Sequence, residues 1–89
     1  MPNIFDYLEL NDGYAVFETA VPPGWIDHSL GELNIRKKYH LNVLAVKNDG
    51  GMEITLGPEF VFSENEIVLL LGSQEDVHRC FGKKGGRYF

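Results

Sequence analysis

The residues best suited to chemistry lie in one stretch of the chain, Leu33-Asn34-Ile35-Arg36-Lys37-Lys38-Tyr39-His40-Leu41-Asn42-Val43. Arg36 carries a permanently charged planar fork whose paired N–H groups match the oxygens of a phosphate. Asn42, at position 42 against 36, opens an apolar run, and its carboxamide there suits a phosphate or a base edge. Lys37 and Lys38 read as a solvated face that adds steering charge to a locally positive cleft.

Other chemistries find little support. His28, His40 and His78 show no i, i+4 pairing, and no cysteine stands near the first two, so no zinc ligand set is expected. Cys80, the only cysteine, falls on the apolar face of a terminal helical pattern and reads as a packed thiol. Ser29 and Ser73 sit three residues before Glu32 and Asp76, the spacing of helix caps, which removes them as nucleophiles. Glu64, Glu66, Glu75 and Asp76 read as a solvated acidic edge. With no catalytic pair, the chain is not expected to be an enzyme, and no cofactor or metal is expected.

Composition bounds the rest. The chain has 89 residues, 44% of them hydrophobic and 12% aromatic, enough for one modest core and one domain spanning 1–89. A lone cysteine excludes a disulfide scaffold. The longest apolar run, Ile67 to Leu71, is far short of the ~18 residues that cross a bilayer, and the N-terminus lacks signal-peptide organisation. A cytoplasmic domain without direct membrane insertion is expected. The net charge of −5 argues against a nucleic-acid polymer as partner. GKKGGRYF, with its basic residues in 83–89, reads as a flexible tail.

The elements that must position Arg36 and Asn42 are legible in outline. Ile4 to Leu10 is a strand or an extended connector, and Asn11-Asp12-Gly13 is a turn. Tyr14 to Thr19 alternates as a half-buried strand and stops at Pro22-Pro23-Gly24. Ser29 starts a short helix that continues towards Tyr39, with Asn34 marking a break. Asn42 to Val46 reads as a strand buried on both faces. Asn48-Asp49-Gly50-Gly51 turns it back into a strand from Met52 to Leu56, which Gly57-Pro58 ends. Phe60 to Phe62 is a short bridge, and Ile67 to Leu71 is the most apolar strand. A last helix carries Val77, Cys80 and Phe81 on one face and stops at Gly82. The order predicts a small α+β fold: a mixed, mostly antiparallel sheet of about four strands with two short helices.

Trp25-Ile26-Asp27-His28-Ser29-Leu30-Gly31-Glu32-Leu33-Asn34-Ile35-Arg36, followed by Asn42-Val43-Leu44-Ala45-Val46, resembles the signature of the TrkA C-terminal domain, or RCK C-lobe. Ile67 to Gly72 is similar to that family's closing strand, and the resemblance covers about residues 4 to 82. The chain departs from the pattern at Asp27-His28, where a glycine followed by a basic residue is common. It departs again at Asn65-Glu66, where Gly-Asp is usual.

The resemblance implies a dimeric regulatory lobe of a bacterial potassium or other cation transport system. In the branch of the Ktr regulators, it implies a homodimer cleft that takes cyclic di-AMP. Arg36 and Asn42 match the positions that hold the phosphates, and Leu30, Leu41, Val43 and Pro58 those that contact the adenines. Trp25 is expected in the core or at the dimer contact. The implied partners are a second copy, the cyclic dinucleotide, and a membrane transporter subunit or an N-terminal lobe. No G-x-G-x-x-G follows a strand, so the chain reads as one lobe of a longer polypeptide. The alternative is a dimerisation or assembly module with a different ligand or none.

Overall fold

The computed structural model describes residues 4–81, so the tail at 83–89 and the helix stop at Gly82 lie outside the described residues. Five strands form one antiparallel sheet in the order β1-β2-β5-β3-β4. They are β1 (Ile4–Glu9), β2 (Tyr14–Ala20), β3 (Asn42–Asn48), β4 (Gly51–Glu53) and β5 (Ile67–Ser73). The small antiparallel sheet is thus as expected, with Ile4 to Glu9 resolved as a full fifth strand. Three short α-helices accompany it, α1 (Leu30–Leu33), α2 (Ile35–Tyr39) and α3 (Gln74–Phe81), with a 3-10 turn at Pro23–Trp25.

Alternation decides which face is buried. Ala15, Phe17 and Thr19 of β2 stand opposite Gly72, Leu70 and Val68 of β5, and all six are buried. Val46 joins them from β3, opposite Val68. The helices and the loops around Trp25 and Phe62 cover this face. Trp25 packs at 5.2 Å from Phe62 and 6.1 Å from Phe81, ring centre to ring centre, which makes it a core residue. Removing a phenylalanine from such a core costs about 3–5 kcal/mol.

Local chemistry sets the connections. Asp12 and Gly13 both take positive φ, 59° and 82°, as a tight turn between twisted strands requires. Leu10 and Tyr14 close that hairpin, the Leu10 N–H donating to the Tyr14 carbonyl at 2.8 Å. On the opposite face of the sheet Lys47 pairs with Glu18 at 2.5 Å, bridging β3 and β2 over the strand between them.

Three expectations need correction. The strand from Asn42 is not buried on both faces, because the register slips between Val43 and Ala45. Leu44 is the extra residue of this bulge and is 40% exposed. The return strand is only Gly51–Glu53, and Ile54, 70% exposed, has already left the sheet. Glu66 is not part of a solvated edge. It is buried, with Oε1 accepting the Ser63 N–H at 2.8 Å inside the turn before β5.

Candidate functional site

The site is built on the break between α1 and α2. Ser29 and Glu32 form a reciprocal capping box: the Glu32 N–H donates to Ser29 Oγ at 3.1 Å, and the Ser29 N–H to Glu32 Oε1 at 3.0 Å. His28 Nδ1 meets Glu32 Oε2 at 2.9 Å. These contacts, led by the Ser29 backbone N–H, hold the Glu32 carboxyl below its ordinary value. Asn34 then takes the left-handed conformation at φ 54°, ψ 43°, ending α1 after one turn and starting α2 in a new direction.

That reorientation places Arg36. Ile35 is buried at 1% exposure and anchors α2 to the core, which leaves Arg36 and Lys37 on the outer side. His40, left-handed at φ 61°, closes the helix, its N–H donating to the Arg36 carbonyl at 2.9 Å. The chain enters β3 through Leu41, which is buried against β5. A Cβ at Gly72 would lie 2.3 Å from Leu41 Cδ2, so a larger residue there would force the leucine tip to shift. With Leu41 anchored, Asn42 is fixed at the start of β3, and its Oδ1 accepts a hydrogen bond from Arg36 Nε at 3.1 Å.

The opposite wall is the loop after β4. The N-terminal N–H groups of α1 have no partner within their own helix, and this loop supplies partners for two of them. Leu30 N–H donates to the Phe60 carbonyl at 2.7 Å and Gly31 N–H to the Pro58 carbonyl at 2.8 Å. The approach is close enough that a Cβ on Gly31 would sit 2.9 Å from the Pro58 Cβ.

Between these walls lies an open cavity of about 480 Å³, within the usual size of small-molecule sites. Arg36, Asn42, Leu30, Leu41, Val43 and Pro58 all line it. Every site residue named from the sequence therefore borders one space. Sequence reasoning missed Leu56, assigned to a strand, and Lys37, assigned to a solvated face; both also line the cavity. The signal for Leu56 was the Gly57-Pro58 break, which frees the residues before it from the sheet.

The electrostatics are one-sided. Arg36 and Lys37 line the cavity and no acidic residue does. Among the described residues neither cation takes part in an ion pair. A cationic fork, a second cation, a carboxamide and apolar walls together suit an anion that carries a flat or apolar group. Among the described residues no cluster of three or more His, Cys, Asp or Glu could hold a metal. Burial pushes the Cys80 thiol up to about 12, partly opposed by Arg79 and Lys38. That is the behaviour of a packed thiol. Among the described residues no helix is long and apolar enough to cross a membrane.

Comparison with known proteins matches residues 16–81 to the TrkA-C domain. The match leaves out β1. The chain is 29% identical over 77 residues to the Ktr system potassium uptake protein A of Bacillus subtilis strain 168, covering 86% of this chain. It is 32% identical over 79 residues to the Ktr system potassium uptake protein C of the same strain, again covering 86% of this chain. It spans 35% of the length of each relative.

Among solved structures, the chain superposes on the RCK C domain of the potassium transport protein KtrA, determined in complex with cyclic diadenosine monophosphate. The TM-score is 0.70 at 22% identity, over 75% of this chain and 79% of that one. The RCK_C domain dimer of S. agalactiae BusR, in complex with c-di-AMP, gives a TM-score of 0.67 at 21% identity, over 78% of this chain and 88% of that one. These likenesses establish a common fold.

Proposed function

The chain belongs to the TrkA-C domain family, and from that premise we propose that it is the ligand-sensing lobe of a bacterial potassium-transport regulator, binding cyclic di-AMP across a homodimer. The observation that carries this reading is the convergence of Arg36, Asn42, Leu30, Leu41, Val43 and Pro58 on one cavity. A symmetric dinucleotide presents the same half twice, so a two-fold pair of such cavities meets it with one arginine and one apolar wall per copy. Exposed apolar side chains are available for a dimer contact: Leu44 is 40% exposed, Val61 48% and Ile54 70%. The 1–89 chain acts as a single lobe in this reading, without catalytic activity, at the cytoplasmic face of a membrane transporter subunit.

Heat denaturation with added ligand tests it. A ligand that binds only the folded state adds about 2.7 kcal/mol of stability at 100 times its Kd. Cyclic di-AMP should raise the midpoint by several degrees and cyclic di-GMP far less. No shift with cyclic di-AMP at millimolar concentration would remove the nucleotide from the account. It would leave an assembly module, which the exposed Leu44, Ile54 and Val61 alone would explain.

A further inference from the structure

Arg36, Lys37 and Lys38 are consecutive and all exposed, yet they do not share one environment. Arg36 and Lys37 line the cavity. Lys38 does not line it: its Nζ is 5.8 Å from the centre of the Tyr39 ring. A helix turns about 100° per residue, so adjacent positions share a groove only where the groove is wide, and the third falls off its edge.

We propose that Lys37 is a specificity-determining cation of the site, contacting the ligand's phosphate together with Arg36. The inference rests on the function proposed above and adds a residue to its machinery. Arg36 Nε is already committed to Asn42, at 3.1 Å, which leaves the terminal nitrogens of the guanidinium to meet a ligand. A phosphodiester has two non-bridging oxygens. The terminal nitrogens of Arg36 and the mobile ammonium of Lys37 together cover both, the first as a fixed fork and the second as a flexible point charge. With no acidic side chain lining the cavity, nothing there competes for the ammonium. The site then selects for anionic linkages: a dinucleoside with a neutral linker is rejected although its bases fit.

Lys38 supplies the control. Lys37→Gln and Lys38→Gln remove the same charge from adjacent exposed positions, so long-range attraction falls equally in both. Calorimetric titration of wild type and both variants with cyclic di-AMP separates contact from steering, with melting curves to establish that each variant is folded. The expected result is a loss of about 3- to 10-fold for Lys37→Gln, the scale of an exposed ion pair repeated in two copies, and under about 2-fold for Lys38→Gln. Equal losses in the two variants, or none in either, overturn the role of Lys37 while wild-type binding still stands. Absence of binding by wild type overturns the proposed function, and the role of Lys37 with it.

Discussion

Arg36 donates through Nε to Oδ1 of Asn42 at 3.1 Å, so the guanidinium is held by a neutral carboxamide rather than by a carboxylate. A carboxylate in the same place would neutralise the charge that a phosphate needs. An amide orients the fork and leaves its charge intact.

Arg36→Lys should therefore behave almost as badly as Arg36→Ala. Lysine keeps the charge but has no second nitrogen to donate to Asn42 while facing the ligand. Charged hydrogen bonds are worth about 1.5–3 kcal/mol each, so Arg36→Ala should lose at least about 10-fold in affinity for cyclic di-AMP. Asn42→Ala, which releases the fork but keeps it, should lose less. Equilibrium titration of the three variants orders them, and wild-type affinity in Arg36→Lys would contradict the account.

Gly31→Ala should damage the site more than the fold. Its new Cβ would lie 2.9 Å from Pro58 Cβ and 3.0 Å from the Pro58 carbonyl oxygen, so the loop must move outward and carry the apolar wall with it. Overpacking of this kind costs about 1–3 kcal/mol. Denaturant melts should show a folded protein of reduced stability, with ligand affinity lowered although no ligand contact has been deleted.

The capping box gives the site an acid limit. Glu32 has its folded pKa lowered from an ordinary 4.5, chiefly by the Ser29 backbone N–H and then by His28. A depressed carboxyl stabilises the fold above its unfolded value and loses that contribution as pH falls through the lower folded value. Stability should decline below about pH 4.5, and Glu32→Gln should flatten that part of the profile. Identical profiles in wild type and variant would show the carboxylate to be irrelevant. Ser29→Ala should cost about 1 kcal/mol at neutral pH.

Cys80 sets the opposite limit. Its thiol is raised from 9.0 to about 12 by burial, so stability is complete below pH 9 and falls as pH climbs from 9 towards 12. Alkylation with iodoacetamide at pH 8 should be slow in the folded protein and fast in denaturant. Rapid labelling of the folded chain would show the thiol to be exposed.

The architecture was legible where one residue type had one structural meaning. Asn34 tolerates the left-handed conformation, and the helix breaks there at φ 54°. Ser29 and Glu32 have capping spacing, and both reciprocal bonds are present. Most illegible features depended on partners distant in sequence, Glu66 being the local exception. The bulge at Leu44 follows from pairing with β5, whose register a local apolar run does not encode. Glu66 is buried because its own turn folds over it, whereas its acidic neighbours gave the impression of a solvated edge. Leu56 reaches the cavity because α1 holds the following loop through Pro58 and Phe60. Lys37 and Lys38 look alike in sequence because composition cannot tell which of three adjacent cations faces a cavity.

The measurement that bears most directly on the whole account is the stoichiometry of cyclic di-AMP binding by isothermal titration calorimetry on the wild-type chain, with its mass in solution determined in parallel. The account predicts one ligand per two chains, on a protein that sediments as a dimer. No heat at micromolar protein, or one ligand per monomeric chain, would contradict it.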